Sequence, residues 1–248
     1  MSSSATAKCA LVTGSSGGIG GAILTRLADD GVKVLGADLH VADKEHAVQA
    51  DLSTPEGNRA AVDAALERLE RLDIVVAAAG FQHIAPVAEF PEERWEALLS
   101  VMLTSPFLLS KYAWQALTDS PEPRIVVIAS AHGLVASPFK AGYVAAKHGA
   151  VGLVKVLALE GAEHGIMATA VCPGFVRTPL VEGQLADQAK AHGTSPERVL
   201  EDVVLAPHAV KRLIEPEEVA DVVSFLVGPG GRTFTGAAVT MDMGWTAR

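Results

Sequence analysis

Short apolar runs rich in Val, Ile and Ala alternate along the chain with longer stretches in which apolar residues recur every three or four positions. Cys9–Thr13, Val32–Ala37, Ala47–Asp51, Asp73–Ala78, Arg124–Ala129, Met167–Cys172 and Ala238–Met241 read as strands. Gly18–Asp30, Pro55–Arg71, a long span from Pro91 to Leu117, Ala141–Glu163 and Glu217–Leu226 read as helices; Gly31 ends the first and Pro55 suits the first turn of the second. Strands that are apolar throughout, separated by helices, predict an α/β fold with a parallel sheet covered on both faces. No repeat, linker or low-complexity block divides residues 1–248, which read as one domain. The one irregular stretch, Thr178–Ala209, is polar and interrupted by Gly183, Gly193, Pro196 and Pro207. It follows the sixth strand, and open α/β sheets bind ligands beyond their strands' carboxyl ends, so a substrate lid is expected there.

A chain of 248 residues can bury one sizeable core. Apolar residues make up 49%, yet no uninterrupted run approaches the ~20 residues that span a bilayer. Met1–Lys8 carries neither a basic patch nor an apolar segment fit for export, which predicts a short flexible tail and a cytoplasmic protein. Cys9 and Cys172 lie in strand-like runs and read as reduced core residues. A net charge of −9 without a basic cluster argues against nucleic acid. The eight histidines show no metal-ligand spacing, so no metal is expected.

Two segments carry chemistry. Thr13-Gly14-Ser15-Ser16-Gly17-Gly18-Ile19-Gly20 lies between the first strand and the first helix. Glycines there permit a tight turn and close approach of a pyrophosphate to the free N–H groups of a helix amino terminus, with Gly14, Ser16, Gly18, Ile19 and Gly20 at the contact. Asp38 ends the second strand, where a carboxylate accepts hydrogen bonds from ribose hydroxyls and repels a 2′-phosphate, and neither Ser15 nor Ser16 is basic. NAD rather than NADP is therefore expected. Asp51 and Leu52 stand at an adenine edge, although Asp51 reads equally as an ordinary helix-approach residue. The second segment is Tyr143-Val144-Ala145-Ala146-Lys147, with Ser130 thirteen residues upstream of the tyrosine. One helical turn sets the phenol and the ammonium on one face, where the lysine charge should favour the phenolate and bring proton transfer towards neutral pH.

The glycine turn, Ser130, Tyr143 and Lys147 together resemble the short-chain dehydrogenase/reductase family over essentially the whole chain. The resemblance implies a single-domain, Rossmann-like, doubly wound parallel sheet of about seven strands. It implies Tyr143 as general acid/base, Lys147 as its electrostatic partner and ribose ligand, and Ser130 as donor to the substrate oxygen. Gly80 would approach the adenosine ribose, while Pro173, Gly174, Val176 and Thr178 would line the nicotinamide pocket. A homotetramer built through the long helices and the carboxyl-terminal segment is also implied, and the apolar stretches Leu98–Leu109 and Ala150–Leu159 suit helices covered on more than one side.

A narrower resemblance, to the D-3-hydroxybutyrate dehydrogenases, runs through Gly80-Phe81-Gln82-His83-Ile84-Ala85-Pro86-Val87, Ile128 to Lys140, Tyr143 to Gly149, and Gly244-Trp245-Thr246-Ala247-Arg248. It implies that Gln82, His132, Lys140 and Gln184 hold a small carboxylate, with Phe175 and Trp245 as apolar walls. A four-carbon hydroxy acid offers little apolar surface, so charge-assisted hydrogen bonds must orient it. Gln184 on the lid would complete the cage on closure. The alternatives are another alcohol or 3-oxoacyl substrate, for which Lys140 would be idle, or a weakly active NAD-binding sensor.

Three departures from the family pattern stand out. Met102-Leu103 replaces an Asn-Leu pair whose asparagine holds a water that links the lysine to solvent, so the proton relay should run differently or more slowly. Ala77-Ala78-Ala79-Gly80 replaces Asn-Asn-Ala-Gly and removes side chains that brace the sheet. Asp242-Met243-Gly244 replaces Asp-Gly-Gly and puts bulk where the family has none.

Overall fold

The computed structural model describes residues 7–42, 45–179, 181–183, 185, 189 and 194–247. Seven strands form one parallel sheet: β1 (Cys9–Thr13), β2 (Lys33–Asp38), β3 (Ala47–Gln49), β4 (Ile74–Ala77), β5 (Arg124–Ile128), β6 (Met167–Pro173) and β7 (Ala238–Met241). Their order is β3-β2-β1-β4-β5-β6-β7. The chain thus runs outward from β1 in one direction, returns to β4, and runs outward in the other. The reversal between β1 and β4 opens a crevice at the carboxyl ends, where such sheets bind ligands. Val12 pairs with Gly36 on one side and Val76 on the other, and Val127 pairs with Ala170.

Helices cover both faces: α1 (Gly18–Asp29), α2 (Pro55–Leu69), α3 (Glu92–Leu99), α4 (Ser105–Thr118), α5 (Ala141–Gly161), α6 (Pro196–Val199) and α7 (Pro216–Val227). On one face Leu11, Leu35, Val75 and Ile125 pack with α2, α4 and α5. On the other Val12, Val76, Val126 and Val171 pack with α1 and α7. Strand residues alternate between the two cores, which is why whole strands are apolar. Ala141–His164, comprising α5 and its terminal turn, has the length and apolar character to cross a bilayer, but 44% of its most apolar 18-residue stretch is buried inside this fold, and Lys147 is buried too.

The helix expected from Pro91 to Leu117 is interrupted. Ser100–Thr104 forms a π-helical turn between α3 and α4, with Met102 at its centre and 1% exposed. Such bulges insert a residue and re-aim the side chains beside them. β3 is also shorter than its apolar run, because Asp51 turns to hydrogen-bond Ser53 (2.9 Å to N–H, 2.6 Å to Oγ) at the approach to α2.

Asn58 ties these parts together from within α2. It is fully buried and donates to the Leu52 and Thr54 carbonyls (3.0 and 2.7 Å), while the Ser105 hydroxyl donates to its Oδ1 at 2.6 Å. Removing it strands the Leu52 carbonyl and the Ser105 hydroxyl in the core. Asn58→Ala is expected to cost about 3 kcal/mol, a fall in Tm on the order of 10 °C in a thermal melt. A shift under about 2 °C would show that the network is dispensable.

Candidate active site

A cleft of about 770 Å³ runs along the carboxyl ends of the strands from Asp38 to Trp245. Every site residue expected from the sequence lines it except Gln184, which lies outside the described residues. At one end the glycine turn passes close to β4. A Cβ at Gly14 (φ 68°) would come within 2.8 Å of the Ala79 backbone, and one at Gly20 within 2.1 Å of the Gly14 carbonyl oxygen. No side chain caps α1, whose first N–H groups face the cleft with no intrahelical partner. Asp38 accepts from the Ser16 N–H at 3.0 Å, so the carboxylate at the end of β2 also fixes the turn. Thr178 packs its methyl group against Gly18 on the facing wall. A glycine cradle, an open helix amino terminus and one carboxylate with no adjacent cation among the described residues are the features an NAD ribose and pyrophosphate fit.

The departures in the neighbouring backbone are absorbed locally. Thr13 is buried, and its Oγ1 accepts from the Ala78 and Ala79 N–H groups (3.1 and 3.4 Å), bracing the strand end that lacks asparagines. Met243 adopts φ 55°, a left-handed conformation a glycine would take more readily. Asp242 holds it there by accepting from the Gly244 N–H, the Thr246 N–H and the Thr246 hydroxyl (3.1, 2.8 and 2.6 Å).

Ser130, Tyr143 and Lys147 converge at the centre. Ser130 follows β5 and its Oγ accepts from the His132 N–H at 3.1 Å. The Ser130 hydroxyl lies close enough to the Tyr143 phenol to lower its pKa. Lys147 donates to the Ile128 carbonyl at 2.7 Å, and its Nζ lies 5.6 Å from the Tyr143 ring centre. The lysine was expected to favour the phenolate; burial instead raises the Tyr143 pKa, with the Ser130 hydroxyl opposing it. Desolvation weighs on the lysine too, bringing it down to about 8. Cys172 sits behind this cluster with its thiol pushed up to about 11 by burial, an inert group. Met102 takes the asparagine position: a Cβ at Gly80 would touch its Sδ at 3.1 Å and the Lys147 Nζ at 3.9 Å, so the thioether fills the space beside the ammonium.

At the other end stand Gln82, His132 and Lys140. Lys140 is 6% exposed, and its Nζ lies 4.9 Å above the Phe175 ring. Among the described residues it has no hydrogen-bond acceptor and no carboxylate partner. Burial lowers its pKa to about 8. His132 is neutral: burial, then the Lys140 charge, bring it down to about 3. Its Nε2 shares a 2.9 Å hydrogen bond with Ser137 Oγ, a partner the sequence did not single out. The expected walls are present, with Phe175 and Trp245 stacked 5.5 Å apart and His132 edge-on to both. Behind them lies His208, which no sequence signal marked. It is fully buried, tilted against both rings, and its Nε2 has no hydrogen-bond partner among the described residues. The segment after β6 is drawn against this end by a small core of Val181, Val199, Val204, Leu205 and Leu213, on which Phe175 packs. No group of three or more potential metal ligands occurs among the described residues.

Residues 8–189 match the family model for short chain dehydrogenases. A D-beta-hydroxybutyrate dehydrogenase of Rhizobium meliloti is 39% identical, the match covering 97% of this chain and 99% of that one. A second, from Cupriavidus necator, is 38% identical over 97% and 98%. The ligand-free aldohexose dehydrogenase of Thermoplasma acidophilum superposes with a TM-score of 0.89 at 29% identity, covering 98% of this chain and 95% of that one. The chain therefore belongs to the short-chain dehydrogenase family, as an oxidoreductase whose cofactor is NAD.

Proposed function

We propose that the protein interconverts a small 3-hydroxy acid, D-3-hydroxybutyrate in the first instance, and the corresponding 3-oxo acid, acetoacetate. The observation that carries this reading is Lys140, a buried ammonium with no anionic partner among the described residues, set in the same cleft as Ser130 and Tyr143. An unpaired buried charge is costly, and a substrate carboxylate would relieve it. The Rhizobium and Cupriavidus relatives support the same substrate class.

Gly14, Ser16, Gly18, Ile19 and Gly20 would hold the pyrophosphate, Asp38 and Lys147 the two riboses, Asp51, Leu52 and Gly80 the adenosine end, and Pro173, Gly174, Val176 and Thr178 the nicotinamide end. When bound, NAD takes up or returns a hydride. In the reductive direction the Tyr143 phenol, which burial keeps protonated, gives its proton to the substrate oxygen as C3 gains the hydride, and Ser130 donates to the same oxygen; oxidation runs the same step in reverse. Lys140, Gln82 and His132 fix the carboxylate, which sets which face of C3 is presented. Gln184, in the lid, would add a fourth ligand and exclude water on closure. We further propose a cytoplasmic homotetramer. Phe107 on α4 and Val156 and Leu159 on α5 are 45%, 48% and 80% exposed on one side of the sheet, and Phe225 on α7 is 50% exposed on the other, apolar surfaces suited to copies of the chain.

A panel of 3-hydroxy acids and neutral alcohols, each with NAD and NADP, tests the reading. Lys140→Ala is expected to raise KM for hydroxybutyrate about 10- to 150-fold while KM for NAD stays put; small, equal effects on both would end the carboxylate proposal. The Lys140 pKa is lowered to about 8, so the group is charged below that pH and neutral above it. KM for the acid should rise as pH passes about 8 in the parent enzyme and stay high and flat across that range in Lys140→Ala. Lys147 titrates in the same range, which makes the comparison of the two proteins the readout. Asp38→Ala should raise KM for NAD roughly tenfold or more and improve the relative use of NADP, since the repulsion of a 2′-phosphate is gone. Met102→Asn should leave kcat equal or higher by restoring a polar group beside Lys147. A large loss of kcat would mean that the proton leaves by a route built around the thioether.

A further inference from the structure

Lys140 would ordinarily extend into solvent, and its burial must be enforced by the chain before it. That chain is the turn Ser137-Pro138-Phe139-Lys140, immediately ahead of α5. Pro138 fixes its own φ near the value a turn needs at its second position, and Phe139 follows with φ 67°. That left-handed conformation is the province of Gly and Asn in such a turn; for a bulky aromatic residue it is an outlier, and outliers of this kind persist where surrounding contacts over-determine them. The contacts are visible. The Phe139 carbonyl accepts from the Ala85 N–H at 3.0 Å, which ties the turn to the loop carrying Gln82. Ser137 Oγ bonds His132 Nε2 at 2.9 Å. Lys140 leaves the turn with φ −121° and ψ 34° and its carbonyl accepts from the Val144 N–H, opening the helix that carries Tyr143. The Phe139 side chain is 49% exposed, so core packing does not account for the strain.

We propose that Phe139 is a positioning residue for substrate selection: its left-handed backbone turns Lys140 inward and holds it in register with Gln82 and His132. The backbone conformation, rather than the aromatic ring, performs this task. The proposal rests on the reading of Lys140 as the carboxylate ligand, and its test separates the two.

Three variants divide backbone from side chain. Phe139→Gly and Phe139→Asn remove the ring but favour a positive φ; Phe139→Val keeps apolar bulk but strongly disfavours it. Steady-state KM and kcat for hydroxybutyrate are measured beside KM for NAD. The expected result is KM for the acid within about twofold of the parent in the Gly and Asn variants and raised about fivefold or more in Val, with KM for NAD unchanged in all three. Equal losses in Gly and Val would assign the effect to the ring and overturn the proposal, as would no effect in any variant. If Phe139→Val does not fold, Phe139→Ala replaces it, because alanine is also strained at positive φ. Lys140→Ala is the control. If it leaves KM for the acid unchanged, the carboxylate reading falls and this inference with it. If it raises KM but the Val and Ala variants match Gly, the reading stands and only the role of Phe139 is lost.

Discussion

The hydrogen bond from the Lys147 ammonium to the Ile128 carbonyl, 2.7 Å long, locks α5 against the carboxyl end of β5. The rest of the cleft takes its geometry from that contact. It sets how far α5 slides along the sheet, and so where Tyr143 stands relative to Ser130 just beyond the same strand. The match must be close, because Gly133 in the turn after Ser130 packs directly on the Lys147 backbone; a Cβ there would come within 2.8 Å of the Lys147 carbonyl oxygen. Breaking the bond would leave a buried ammonium without an acceptor, which is why this anchor specifies a single register.

The same burial explains the electrostatics. A chain of net charge −9 places two lysines, 140 and 147, in one cleft, and among the described residues neither has a carboxylate partner. Both are brought down to about 8 by desolvation. A lysine whose folded pKa lies below its unfolded value of ~10.4 weakens folding in its charged range, and the penalty disappears as pH rises from about 8 through 10. The protein tolerates that cost where a ligand can offset it. His132, neutral and hydrogen-bonded to Ser137, adds a polar group without a third charge. The local excess of positive charge is what a small carboxylate would meet on entering.

Much of this was legible in the sequence because it depends on local pattern. Runs such as Ile125–Ile128 could only be covered on both faces, and Gly14 and Gly20 sit where the backbone leaves no room for a Cβ. The spacing of Tyr143 and Lys147 put them on one helix face. What escaped the reading depends on burial and on long-range contacts. The direction of the Tyr143 shift was misjudged, since a sequence shows the neighbouring lysine but not the loss of water around both groups. The π turn at Ser100–Thr104 is marked only by Pro106, which cannot donate to the Met102 carbonyl one turn back and so breaks the expected continuous helix. Ser137 and His208 gain meaning only from what lies across from them, and Phe139 only from a backbone angle.

The three departures from the family pattern differ in how the fold meets them. Where asparagines are missing after β4, Thr13 reaches across from β1 and supplies the acceptor. Where a glycine is missing near the carboxyl terminus, Met243 takes the left-handed conformation anyway, and Asp242 holds the turn with three hydrogen bonds. In both places the geometry survives because a neighbour takes over a purely structural task. Met102 is different in kind. Its side chain packs well, 1% exposed against Gly80, so stability gives no reason to prefer an asparagine. What the thioether cannot do is pass a proton, being at most a weak acceptor and no donor. A fold can replace a hydrogen bond from another direction, but a group that must exchange protons beside Lys147 has to stand there, and among the described residues the side chain occupying that space is Met102. The architecture is untouched by this substitution, and under the proposed mechanism its effect would fall on the rate of proton exchange.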